Sequence, residues 1–326
     1  MRGINGTNRK SLILLAGSRL SASLLFPIMA AGMGRSFSPD LRLITLVPSD
    51  ADMVAGIGAP TLHGQQPSTF LLITPRNAAD LNDFLALTGV DDARVIHQVI
   101  LVATKRGTGN PDGHSLLASG HFNQARIFKA AVENGAVIDQ YRSVQIVVLE
   151  PFQRERQSLS GVRWLAVVGE NVVILGTIEN VRLELDRHLD KASADLPLML
   201  SLSHLEGDDM SWCLVRALVQ NDLILHALRS LDPEFARRVH DGDTILFGIH
   251  YGRRIRFEYI LTTSNPSTQA GSPSLVPSPE TPNATPYPLI AASAHVDGSI
   301  RGRVYLSTVR YEKWLADVSG RSPDHR

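Results

Sequence analysis

Trp164-Leu165-Ala166-Val167-Val168-Gly169-Glu170-Asn171-Val172-Val173-Ile174-Leu175-Gly176-Thr177-Ile178-Glu179-Asn180-Val181-Arg182 is the stretch that decides the fold. Two apolar runs, rich in β-branched residues, flank Gly169-Glu170-Asn171, so 164–168 and 172–175 read as a hairpin closed by a tight turn. Thr177 then caps a helix whose apolar face is Ile178, Val181, Leu185 and Leu189, spaced for a 3.6-residue period. Strand, turn, strand, helix is the local rhythm.

Working outward, the same rhythm recurs. Upstream, 52–57, 95–102, 115–119 and 145–149 read as strands. Asn77 to Leu87 reads as a helix, with Leu81, Phe84 and Leu85 on one face. Asn123 caps a second helix with Ile127, Phe128, Ala131 and Val132 on one face, closed by Gly135. Downstream, Asp209-Met210-Ser211-Trp212-Cys213-Leu214 echoes the strand that begins at Asp52-Met53. A helix is expected over 223–231 and another from Asp232-Pro233, where proline suits the first helical position. Asp243 to His250 and Arg254 to Leu261 form a hairpin. In its second strand Ile255, Phe257, Tyr259 and Leu261 alternate with Arg256 and Glu258, the pattern of a half-buried strand. Strands over 290–295 and 300–306 lead to a terminal helix holding Tyr311, Trp314 and Leu315.

These readings predict an α+β fold of two related modules, 41–192 and 193–318. Each is expected to be mainly antiparallel sheet with helices packed on one face, because hairpins outnumber crossovers. Residues 264–288 are dense in proline, serine and threonine and read as a flexible loop inserted in the second module. Residues 319–326 read as a tail.

Composition bounds the function. Hydrophobic residues make up 44% and charged residues 20%, so a sizeable core is available. The 32 basic residues balance the 32 acidic ones. That balance leaves no electrostatic footprint for nucleic acid. The N-terminal 1–39 differ from the rest: Arg2, Arg9, Lys10 and Arg19 precede any acid, and 20–34 is apolar or small. A charged start followed by a short apolar run is the layout of a signal peptide, with cleavage expected near Ala31–Gly34; an uncleaved signal anchor and an upstream start codon read as coding sequence are the alternatives. The run is short for a bilayer span. Membrane association, if any, is expected only through this leader.

Gly120-His121-Phe122 ahead of a helix, Tyr141-Arg142-Ser143-Val144, the run 165–182 and Pro48-Ser49-Asp50-Ala51-Asp52-Met53-Val54-Ala55-Gly56 together resemble a pattern in uncharacterised exported bacterial envelope proteins with duplicated α+β domains of unknown function. The resemblance covers mainly 43–190. It implies export and a duplicated body, and it brings no catalytic residues with it.

Motif by motif, contiguous chemistry is missing. Gly56-Ile57-Gly58-Ala59-Pro60-Thr61 lacks the third glycine of a dinucleotide loop, and Pro60 obstructs the helix such a loop needs. Gly107-Thr108-Gly109-Asn110-Pro111-Asp112-Gly113 has no Lys-Ser/Thr to complete a phosphate loop, and reads as a turn. The 11 histidines are scattered, with no pair at the spacing of a helical zinc site. His97 and His250 sit in apolar strands and read as hydrogen-bonded structural residues. His114 and His121 flank one strand and make a site only if they converge with Asp112. The aspartates of the pairs Asp50/Asp52 and Asp241/Asp243 are explained by turns and caps. Cys213, the single cysteine, lies in an apolar run and reads as a buried thiol. Trp164, Trp212, Phe257 and Tyr259 read as core. No catalytic, cofactor-binding or metal residue is assigned. The expected function is a non-catalytic, exported or envelope-associated binding module whose partner is a protein or envelope component. The alternatives are a hydrolase-like enzyme with a dispersed His/Asp site and a carrier of an apolar ligand.

Overall fold

The described strands assemble into one sheet, and their lateral order is what positions every candidate site. The computed structural model describes residues 39–58, 95–104, 113–149, 163–205, 211–216, 222–232, 236–240, 242–251, 255–263, 289–294 and 299–318. All of them belong to the unit Ser36–Arg326. The leader, the helix expected over 77–87, the glycine-rich loop 105–112, the loop 264–288 and the tail lie outside the described residues.

Among the described residues there are twelve strands: β1 (Met53–Gly58), β2 (Ile96–Ala103), β3 (His114–Gly120), β4 (Val137–Tyr141), β5 (Val144–Leu149), β6 (Arg163–Val168), β7 (Val172–Thr177), β8 (Ser211–Arg216), β9 (Thr244–His250), β10 (Ile255–Thr262), β11 (Leu289–Ala294) and β12 (Ser299–Leu306). Six helices accompany them: α1 (Leu41–Ile44), α2 (Gln124–Glu133), α3 (Ile178–Leu189), α4 (Leu196–Ser203), α5 (Asp222–Leu231) and α6 (Thr308–Val318). The strand order is β11-β12-β10-β9-β8-β1-β2-β3-β7-β6-β5-β4. Every pairing is antiparallel.

This overturns the expectation of two α+β modules with helices on one face. The protein is mainly β, a single large sheet. The finding that decides it is the seam between β1 and β8, where Met53 pairs with Val215, Gly56 with Trp212 and Ile57 with Ser211. The seam joins the strands of 53–177 to those of 211–306 side by side. Hairpins announce themselves through turn residues, but the pairing of two strands so far apart in the chain has no local signature.

Helices cover both faces. On one face, Leu43 and Ile44 of α1, Val181 and Leu185 of α3, and Leu198 and Leu202 of α4 pack on Val54, Ile100, Val102, Leu117, Ile174, Trp212 and Leu214. On the other, Ile127, Phe128 and Ala131 of α2 pack on Val99, Leu116, Leu165 and Val173. Leu225, Leu228 and Leu231 of α5 and Tyr311 of α6 close the same face over Cys213, Phe247, Phe257 and Tyr259. Strands buried on both faces explain the near-continuous apolar runs at 99–103 and 172–175, which alternation alone would not produce.

Two close approaches knit the sheet. A Cβ on Gly56 would overlap the indole of Trp212, its cross-strand partner, and a Cβ on Gly302 would overlap the ring of Tyr259. Each aromatic ring lies over the glycine opposite it. The Tyr259 hydroxyl donates to Asp232, which follows α5; burial first, and this carboxylate second, push that phenol well above its ordinary range. The Trp314 indole N–H donates to Ser230 Oγ at 2.8 Å, tying α6 to α5. Among the described residues no helix is long and apolar enough to cross a membrane.

Candidate functional site

The sheet ends on β4, a strand that the sequence pattern does not predict. Its inner edge pairs with β5, Val137 with Val148 through Tyr141 with Val144. No strand among the described residues pairs with its outer edge. Val137, Ile138, Asp139 and Gln140 are all exposed. Val137 is 59% and Ile138 42% exposed. Val137 and Ile138 are consecutive, so they present apolar groups on opposite faces of the edge. The Gln140 N–H already donates to Asp139 Oδ1 at 2.7 Å; along Val137–Ile138 the exposed backbone, flanked by β-branched side chains, forms a template for one more strand. Neither lysine nor proline, the usual guards of an edge, occurs in β4.

The hairpin that carries this edge is anchored at its turn. Arg142 sits at φ 52°, a region that disfavours side chains other than glycine, asparagine and aspartate. Its guanidinium compensates by reaching α3: Nη1 to Asp186 Oδ1 at 2.9 Å and Nη2 to Asp190 Oδ1 at 3.0 Å. The Tyr141 hydroxyl donates to the same Asp186 at 3.0 Å. The Arg182 guanidinium stacks 4.8 Å from the Trp164 ring centre and 5.6 Å from that of Tyr141. The hairpin is thus tied to α3, and among the described residues no strand pairs with its outer side.

The residues singled out in the sequence do not gather. His114 opens β3, and His121 follows its last residue at the other end. His114 is buried, its Nε2 3.3 Å from Arg163 Nη2, whereas His121 is exposed and meets the His97 ring edge to face at 5.0 Å. Asp112 lies outside the described residues. His121 instead borders an open groove of about 670 Å³ with Asn123, Gln124, Gln145, Glu170 and Phe128. Phe122 and Ala125 complete its lining, so polar and apolar side chains share the groove. Asn123 caps α2 as expected, accepting from the Arg126 N–H at 3.0 Å. Asp243 accepts from the His240 N–H at 2.8 Å, closing a turn. Cys213 is fully buried, and burial pushes its thiol far up. Among the described residues no group of three or more His, Cys, Asp or Glu is placed to hold a metal ion.

Two buried polar clusters have no counterpart in the sequence pattern. Between sheet and α3, Glu184 accepts from the Ser115 hydroxyl, and Thr104 Oγ1 donates to Asn180 Oδ1 at 3.2 Å. On β10, Glu258 is fully buried, with Arg303 Nη2 at 3.0 Å and Nε at 3.2 Å from its Oε1. His250 Nε2 lies 4.0 Å from Glu258 Oε2, and Arg256 Nη2 lies 2.7 Å from the same imidazole nitrogen. The alternation at 255–261 correctly put Arg256 and Glu258 on one face, but that face is not solvent.

What fold and edge define together is a mainly β protein built on one open antiparallel sheet. No protein-family profile matches the chain. No curated protein matches it either. Among solved structures it is similar to that titled "Structure of crystal form I of TP0453", at 11% identity over 86% of this chain and 100% of that one, with a TM-score of 0.45.

Proposed function

We propose that the protein is an exported, non-catalytic binding module that takes an extended segment of a partner polypeptide as a further strand along β4. The observation that carries this reading is the outer edge of β4, exposed along Val137–Gln140 and unpaired by any described strand. Main-chain hydrogen bonds to the edge supply affinity, and Val137 and Ile138 each favour an apolar side chain on their own face. The hydrogen bonds from Arg142 and Tyr141 to Asp186 and Asp190 support the same reading, since an edge already tied in place loses less entropy on pairing. The basic, apolar leader supports export to the envelope.

A photo-crosslinker placed at Ile138 of the full chain in its native cells is expected to give a discrete product with a second polypeptide, and none when placed at exposed Val309. Ile138→Lys is expected to cut association at β4 about tenfold, equivalent to about 1.4 kcal/mol. The same change should leave folding stability within about 0.5 kcal/mol, because the site is on the surface. Equal crosslinking at Val309, or no loss in the lysine variant, would overturn the reading of β4. Export has its own check. The mature N-terminus should begin after residue 31, and recovery of intact chain from the cytosol alone would contradict it.

A further inference from the structure

Among the described residues Glu184 is a fully buried carboxyl with no ion-pair partner. It projects from α3 into the core beneath that helix and is 0% exposed. Its one hydrogen bond comes from Ser115, also 0% exposed, on the middle of the sheet. Gly176 lies directly across from Ser115 on β7, and a Cβ there would press on the Ser115 Cβ at 2.8 Å, so the floor under the carboxyl is already tight. One turn back on α3, Asn180 is 3% exposed. Glu184 Oε2 and Asn180 Nδ2 both lack a hydrogen-bond partner.

Among the described residues no cation answers this carboxyl. The strands under α3 present Ser115, Leu117 and Ser119 from β3, Val172, Ile174 and Gly176 from β7, and Trp164, Ala166 and Val168 from β6. None of these titrates. Asp52, one residue before β1, continues the register opposite Thr104 and is acidic. On α3 itself the charged side chains are occupied elsewhere or turned outward. Arg182 stacks on Trp164, Asp186 holds Tyr141 and Arg142, Arg187 donates to the carbonyls of Thr45 and Ser193, and Glu179, His188 and Asp190 are exposed. Arg163 belongs to the opposite face of β6, against His114. An ionised Glu184 would therefore be a buried charge with a single hydroxyl for company, which is strongly unfavourable.

We infer that Glu184 is a proton-operated latch: protonated, it keeps α3 seated on the sheet, and ionised, it lets α3 and the β4–β5 hairpin open together. The hairpin follows because its turn is tied to α3 through Arg142 and Tyr141. The latch stands whether or not β4 takes a partner.

The direction follows from linkage. Burial lifts the Glu184 carboxyl from 4.5 to about 8, with the Ser115 hydrogen bond pulling the other way. The seated state keeps its proton up to about pH 8, while the opened state loses it near 4.5. Seating is then fully stabilised below pH 4.5, weakens as pH rises, and levels off above about 8.

Hydrogen exchange on the full chain tests this, read as protection factors referred to the intrinsic rate at each pH. Between about pH 5.5 and 7.5, protection of α3 and β4–β5 amides is expected to fall about a hundredfold, roughly tenfold per pH unit, while β8–β10 change far less. Glu184→Gln should hold α3 protection flat across that range. Ser115→Ala removes the bond that favours the ionised form, so the levelling-off should move to higher pH; it also serves if the glutamine variant fails to fold. Flat protection in the wild-type chain, an unchanged slope in Glu184→Gln, a loss spread evenly over the whole sheet, or a downward move in Ser115→Ala would each overturn the latch.

Discussion

Trp212→Ala is expected to destabilise the protein by about 3–5 kcal/mol, the cost of deleting a large buried aromatic and leaving its cavity. Trp212 is 1% exposed and packs among α1, α4, β1 and β8 at the seam that makes one sheet of the chain. Its ring covers Gly56, so the reciprocal change, Gly56→Ala, is expected to cost about 1–3 kcal/mol by overpacking. Both substitutions break one contact, and the methyl group added at position 56 fills part of the space the indole leaves. The double variant should therefore be more stable than the sum of the two single losses predicts, by about 0.5 kcal/mol or more on the scale of about 0.5–3 kcal/mol typical of contacting residues. Urea unfolding of the four proteins measures this directly. Strict additivity would mean that Trp212 and Gly56 do not meet and that the seam is differently registered.

Arg303→Met is the second large effect. Glu258 is fully buried, and Arg303 supplies both hydrogen bonds to its Oε1. Its other oxygen, Oε2, has no hydrogen-bond partner, and the nearby His250 nitrogen is 4.0 Å away. Removing the guanidinium leaves a buried carboxylate without its main counter-charge, a loss of about 3–5 kcal/mol. Replacing both partners, Glu258→Leu with Arg303→Met, removes the charge that needed compensation, and most of the lost stability should return. Chemical denaturation at neutral pH reads both results. If the double variant is as unstable as Arg303→Met, the pair is a fixed part of a larger polar network rather than a self-contained bridge.

Much of the local structure was legible in the sequence. The hairpin of β6 and β7 was, because two β-branched runs bracket a turn and period-2 geometry needs nothing else. The start of α2 was, because the Asn123 side chain replaces a missing backbone partner in a way only a few residue types can. The faces of β10 were, because Ile255, Phe257, Tyr259 and Leu261 alternate with polar neighbours. Other elements were not. In β4, Val137-Ile138 is followed by Asp139-Gln140, so neither strand nor helix period stands out. Glu184 and Asn180 fall outside the apolar set Ile178, Val181, Leu185 and Leu189 that marks α3 in the sequence. Their spacing of four residues puts them on one helical face, but whether that face meets water or sheet depends on how α3 is rolled against β3 and β7.

The sequence by itself determined much of the short-range structure of this protein: most of the strands, the turn between β6 and β7, the starts of α2 and α3, and the lack of a contiguous cofactor or metal motif. Those properties follow from dihedral preferences and side-chain periods that act within one or two turns of chain. Only the tertiary structure decided that β1 joins β8, that helices cover both faces, that β4 is the last described strand at one end of the sheet, and that Glu184 and Glu258 are buried. Each of those depends on contacts between segments far apart in the chain, where burial of apolar surface and the pairing of sheet edges, not local propensity, select the arrangement.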